Sequence, residues 1–187
     1  MQEPIAVDAA ADAAGGASEF GPTGRLLLTV SRWAAILGGV IFVALVVMSI
    51  VSIVGRKVAS APVPGDVEIL QMTAAFASAL FFAYCHMKRG DVKVDFFTAK
   101  LSPRIVNVLD AFGSLLVALV GGLLAWRTAA GALTVMESGE TSMILGVPQW
   151  ISQMLMVPGF ALLGIVGLYM AAHCWQLRHM PAHGGAK

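Results

Sequence analysis

The chain reads as an all-α integral membrane protein with four transmembrane helices and both termini on the cytoplasmic side. Three observations predict this. Of its 187 residues 58% are apolar and 12% charged, with mean hydropathy +0.80, far outside the range of a soluble domain of this size. Two uncharged stretches, Trp33–Val54 with 22 residues and Trp150–Ala172 with 23, are each long enough to cross a bilayer core. Lys and Arg are also distributed unevenly, nine on one side of the four spans and three on the other. By the positive-inside rule the side with nine is cytoplasmic.

The elements follow in order. The first 24 residues are Ala/Gly-rich and hold Glu3, Asp8, Asp12 and Glu19 without a cation, so they read as a disordered cytoplasmic tail and not as a cleavable signal. The membrane domain occupies residues 25–178, and residues 179–187 form a short cytoplasmic tail. Span one, Trp33–Val54, is expected to serve as an uncleaved anchor. A short loop follows in which Pro62, Pro64 and Gly65 turn the chain back. Asp66 and Glu68 then open the second helix, where carboxylates suit the exposed amides and positive dipole end. Span two is Ile69–Met87.

The most cationic loop comes next, with Lys88, Arg89, Lys93, Lys100 and Arg104. Within it Asp95 can cap a short helix over Phe96–Leu101, whose Phe97 and Leu101 fall at helical spacing with Val94, as expected for a helix in the cytoplasmic interface. Ser102 and Pro103 form a good N-cap and first-turn pair, so helix three is expected to start there. Span three is Ile105–Trp126. With no breaker before Gly131, that helix is expected to continue past the membrane on the outer side. Pro148 is placed to open helix four with Trp150 at the headgroup level, and Pro158 is expected to kink it. Small residues recur four apart at Ala34 and Gly38, at Ala75, Ala79 and Ala83, at Ala118 and Gly122, and at Gly167 and Ala171, which lets helix backbones approach closely.

Several chemistries are disfavoured. No charge lies in the centre of any of these four stretches, and a transporter acting alone needs polar groups there. Asp110 stands near the start of span three, where it reads as an interfacial carboxylate paired with loop cations. Cys85 and His86 end span two, and His173 and Cys174 end span four. Helix neighbours point about 100° apart, so such pairs rarely converge on one metal, and interfacial histidines with free thiols are the simpler reading. There is no nucleophile motif, acid pair or phosphate-cradling loop, so an enzyme is not expected, nor a bound cofactor or a nucleic-acid partner. On the outer side, Arg56 closes span one while Asp66 and Glu68 open span two, which invites an arginine–carboxylate pair across the turn. Glu137 and Glu140 are exposed acids that could meet a partner.

A spaced set of residues gives the chain a family resemblance. Arg56 follows span one, Glu68 opens span two, and Gly90, Val92, Val94 and Asp95 follow span two. Leu101 to Arg104 read Leu, Ser, Pro, Arg, and Gly139, Thr141, Leu145, Pro148 and Trp150 precede span four. In this order the chain resembles the small membrane subunit of TRAP transporters (tripartite ATP-independent periplasmic transporters), of the DctQ type. It departs from the family pattern at Asp91, where histidine is frequent, and at Asp66 and Val67, where an aromatic residue is frequent.

The resemblance implies a non-catalytic partner of a large multi-span permease subunit in the bacterial inner membrane, working with a periplasmic substrate-binding protein. It implies uptake of an organic acid driven by an ion gradient, with the ion, usually sodium, held by the large subunit. Arg56, Glu68, Asp95, Phe96, Phe97, Glu140, Pro148 and Trp150 are then the candidate partner contacts. Two other classes compete. A homodimeric four-helix exporter would carry a membrane-embedded glutamate in its first helix, and Trp33–Val54 has no carboxylate. A membrane thiol-redox protein would need paired cysteines facing outward, and Cys85 and Cys174 face inward under this topology.

Overall fold

A computed structural model describes residues 21–60, 63–88 and 103–177. These form four helices: α1 (Pro22–Ala59), α2 (Asp66–Met87), α3 (Pro103–Ser138) and α4 (Gln149–Leu177). The described residues contain no strand, and a single bridge joins Thr141 to Pro148. All four helices are long and apolar enough to cross a membrane. The interfacial helix expected over Phe96–Leu101, with Asp95, Phe96 and Phe97, lies outside the described residues.

The ends of the helices obey local chemistry. α1 begins on Pro22, whose missing N–H costs nothing in a first turn, and Arg25 N–H donates to the Gly21 carbonyl at 3.0 Å. It ends with Arg56 and Lys57 in its last turn, where cations favour the carbonyl end, and Ser60 in the left-handed region donates back to the Gly55 carbonyl. α2 begins with Asp66 and Glu68 in its first turn, as expected. α3 starts at Pro103 as the Ser-Pro pair predicts, and its 36 residues run through Gly131 to Ser138. α4 is continuous through Pro158.

The helices pack as a row. α2 and α4 are the inner pair, α1 packs on α2, and α3 packs on α4, so α1 and α3 lie at opposite ends. α2 and α4 run parallel, since the Ser152 hydroxyl donates to the Met72 carbonyl at 2.9 Å and, seven residues on, Gly159 meets Ala79. α1 and α3 run the other way. A cluster of Leu28, Ala83, Met87, Val166 and Met170 joins α1, α2 and α4 at the end away from the short turns. Phe42 and Phe81 pack with ring centroids 5.8 Å apart, and Phe82 and Phe160 at 6.5 Å.

Small residues set how closely the row packs. On α3, Ala111, Ser114, Ala118 and Gly121 are buried in a stripe with three- and four-residue steps that faces α4, and Ala132, about three turns on, continues it. Of the expected small-residue contacts, Gly38 meets the Ala77 carbonyl, Ala79 meets Gly159, and Ala118 meets Gly167. On α3 the backbone-on-backbone contact is made by Gly121 on Gly164, whereas a methyl built on Gly122 meets nothing within 4 Å.

Candidate docking site at the turn end

The α1–α2 turn and the α3–α4 loop lie at the same end of the row, and two carboxylates organise them. Both precede the apolar stretch Ile69–Met87. Asp66 faces α1: its Oδ2 accepts from the Ser52 hydroxyl at 2.5 Å and from Arg56 Nη2 at 3.4 Å. Its Oδ1 accepts the Val67 amide at 2.8 Å. The Ser52 oxygen in turn accepts the Val63 amide at 3.4 Å, so one fully buried hydroxyl on α1 ties the returning chain to the helix it left. The expected arginine–carboxylate pair is thus present, and its acid is Asp66.

Glu68 looks the other way. Its two carboxylate oxygens accept the amides of Ile144 at 3.0 Å and Leu145 at 3.1 Å, from a loop more than seventy residues along the chain. The loop is otherwise closed on itself. Ser142 N–H donates to the Val147 carbonyl at 2.8 Å, Val147 N–H to the Ser142 hydroxyl at 3.3 Å, and Gln149 N–H to the Glu140 carbonyl at 3.1 Å. Gly65 completes the joint. Its φ of +72° suits glycine, and a methyl there would come within 2.6 Å of the Leu145 side chain. Leu145 therefore sits directly over the N-terminus of α2.

Both acids titrate below their usual range. For Asp66 the Ser52 hydroxyl lowers the pKa most; burial opposes it, and the Val67 amide and Arg56 add to the lowering. For Glu68 burial pushes upward, and the hydrogen bonds from the Ile144 amide, the Ser142 hydroxyl and the Leu145 and Met143 amides together outweigh it. A carboxylate with a depressed folded pKa stabilises the fold fully above its unfolded pKa and loses that contribution as pH falls through the folded value. The thermal midpoint in detergent is therefore expected to be flat from about pH 7 to about 5 and to fall below about 4. A midpoint that held or rose on acidification would contradict the clamp.

The other candidate residues take lesser positions. Glu140 is exposed and contributes its carbonyl to the loop. Pro148 bridges Thr141 and its carbonyl accepts the Ile151 amide at 3.3 Å, opening α4 as expected, and Trp150 is half-buried in the first turn of that helix. Sequence reasoning missed Ser52 and Ser142. Ser52 was findable, because it lies one turn before Arg56 on the same face of α1. Nothing local marks Ser142. Two cavities adjoin the α2–α4 seam and share Met72 and Ser152. One, of about 210 Å³, is lined by Ile69, Phe76, Leu145 and Leu155 among others; the second, of about 380 Å³, by Glu68, Gln71, Ser142, Gln149 and Gln153.

At the far end of the row Cys85 is exposed and Cys174 buried, and the rings of Tyr169 and His173 stack at 6.1 Å. Among the described residues no group of three or more His, Cys, Asp or Glu side chains comes together.

Four apolar helices of membrane-crossing length, closed at one end by a hydrogen-bonded loop, define a multi-pass membrane protein. The family model of the tripartite ATP-independent periplasmic transporters, DctQ component, matches residues 45–177, which span the end of α1, both turns and all of α2, α3 and α4. The chain belongs to that family and is a TRAP transporter small membrane subunit. Neither the curated proteins nor the solved structures include a match to it.

Proposed function

We propose that this subunit is a non-catalytic brace for the large permease subunit of its transporter, inserted in the bacterial inner membrane with both termini in the cytoplasm. The observation that carries this reading is the row itself. The four described helices form a single layer in which α1 and α3 each pack on one neighbour, so they enclose no central pathway for a solute, and α1 and α3 turn apolar faces outward, from Val40 to Val54 and from Leu115 to Leu124. A layer with no pathway of its own fits a supporting role beside a larger membrane subunit.

With the positive-inside topology the turn end faces the periplasm. There the loop held by Glu68 presents Met143, 99% exposed, and Ile144 on a hydrogen-bonded frame, a preorganised apolar tip suited to receive the substrate-binding protein. Arg56, Glu140 and Trp150 flank that surface. The cytoplasmic loop with Asp95, Phe96 and Phe97 is proposed as a second contact with the large subunit. Substrate, an organic acid, and the coupling ion, sodium, pass through the large subunit in this reading.

Co-purification in mild detergent tests it. The tagged chain is expected to bring down a large multi-span protein in fixed ratio, and liposomes are expected to take up substrate only when both subunits and the binding protein are present. Uptake by the small subunit alone, or recovery of the chain without a large membrane partner, would sink the proposal.

A further inference from the structure

Three glutamines meet at the height where the apolar layer begins. The Ser152 hydroxyl on the Met72 carbonyl sets these two residues level, so Ile69–Met87 on α2 and Trp150–Ala172 on α4 start within about one residue of each other along the axis. On α1 the Ser52 bond to Asp66 brings the end of Trp33–Val54 to the same height. The boundary at the turn end is therefore fixed on three helices. Gln149 stands on it, and Gln71 and Gln153 stand within about a turn inside it.

These side chains share the cavity of about 380 Å³, a volume typical of small-ligand sites. At about 100° per residue, Glu68 and Gln71 lie on one flank of Met72, and Gln149 and Gln153 on the matching flank of Ser152, so this cavity opens on one face of the row. Ile69, Phe76, Ile151 and Leu155 lie on the other flanks and line the apolar cavity on the opposite face. α3 borders the polar cavity through Gly131, which leaves room for the Gln153 side-chain oxygen. Gln71 and Gln149 are exposed and Gln153 is half-buried, and none of the three side-chain amides hydrogen-bonds another described residue. At the edge of an apolar layer such groups require a polar partner.

The charge of the lining selects the occupant. It holds one carboxylate, Glu68, and no Lys, Arg or His. Four donors of the α3–α4 loop keep that carboxylate ionised. An anionic ligand would meet this charge with no cation to offset it. A zwitterion is suited instead, because glutamine N–H groups donate to phosphate oxygens while an ammonium group lies toward Glu68. Deeper in the layer the same face turns apolar, with Ala75 and Phe82 on α2 and Met156 and Phe160 on α4, the two phenylalanine rings stacked across the seam. Ser78 on this strip spends its hydroxyl on the Ala74 carbonyl at 2.8 Å. From Gln71 to Phe82 the axis advances about 16 Å, half of a roughly 30 Å hydrocarbon core and so the depth of one leaflet. A polar site at the boundary above an apolar strip one leaflet long matches a phospholipid, whereas a soluble zwitterion would leave the strip uncovered.

We propose that this cavity binds the head group of one zwitterionic phospholipid, phosphatidylethanolamine, from the leaflet at the turn end. Its phosphate lies on the amides of Gln71, Gln149 and Gln153, its ammonium group lies toward Glu68, and an acyl chain runs along Ala75 and Met156 to the phenylalanine pair. The site is built from this chain alone and does not depend on the reading of the subunit as a brace.

The test offers the full chain, purified in detergent, equal amounts of phosphatidylethanolamine and phosphatidylglycerol and weighs it intact by native mass spectrometry. The unmodified chain is expected to retain phosphatidylethanolamine at least about fivefold over phosphatidylglycerol, and the double variant Gln71→Leu, Gln153→Leu to lower that retention roughly tenfold. Gln176→Leu, at the opposite end of α4, is expected to retain as much as the unmodified chain. Gln71→Arg adds a cation and is expected to erase the preference, a gain of anionic-lipid binding that misfolding does not mimic. Equal retention of the two lipids by the unmodified chain, undiminished retention by the leucine double variant, or a preference kept by Gln71→Arg overturns the proposal. A thermal midpoint raised as much by soluble glycerophosphoethanolamine as by the lipid overturns it too, since the cavity would then be a site for a soluble solute.

Discussion

Gly121→Ala is expected to destabilise the subunit by roughly 1–3 kcal/mol, and Gly121→Leu to separate α3 from α4 altogether. The methyl of alanine would lie 2.8 Å from the Gly164 backbone nitrogen and 3.1 Å from its Cα. No rotamer relieves a clash with backbone, so the helices must move apart, and every contact along the pair loosens with them. The matched control is one residue away. A methyl on Gly122 meets nothing within 4 Å, so Gly122→Ala is expected to be neutral or mildly stabilising through the better helix propensity of alanine. Thermal unfolding in detergent of the two variants side by side decides the matter. Equal midpoints would mean that this backbone contact does not hold the pair.

Glu68→Ala is expected to free the α3–α4 loop without unfolding the helices. The carboxylate satisfies the Ile144 and Leu145 amides, and with it removed those exposed amides pass to water and the tie between loop and α2 is lost. Amide exchange at residues 143–145 is expected to accelerate by roughly tenfold or more, while exchange in α2 and α4 beyond their first turns stays as it was. Glu68→Gln keeps acceptor capacity on one oxygen and is expected to fall between. If the loop exists to receive the binding protein, Glu68→Ala also slows transport at limiting binding protein and is rescued by excess, because a loosened tip pays an ordering cost on docking. Unchanged loop exchange in Glu68→Ala would remove the clamp from the account.

How far these features could be read from the chain depends on the range of the interaction. The presence of four helices long and apolar enough to cross a membrane, the start of α3 at Pro103, the acidic first turn of α2 and the opening of α4 at Pro148 all follow from local chemistry: apolar runs, a helix-starting proline, carboxylates at a helix N-terminus. The Arg56–Asp66 pair was within reach because the connecting turn is short. The Glu68 clamp was not, because its partners are backbone amides far along the chain, and an amide carries no sequence signature. Gly121 and Gly122 show the same limit in miniature. As neighbours they are equivalent by composition, and only the rotation of α3 about its axis decides which meets Gly164.

By itself the sequence determined the class of protein, its four helices of membrane-crossing length and the family, because hydrocarbon imposes one rule on every residue it touches and that rule is written in composition and length. Tertiary structure alone decided the order of the helices in the row, the hand-off of Asp66 to α1 and Glu68 to the loop, and the height of α3 against its neighbours. Height is set by glycine-to-glycine contact between helices, and a hydropathy run records how long an apolar segment is but not how far it slides along the helix beside it.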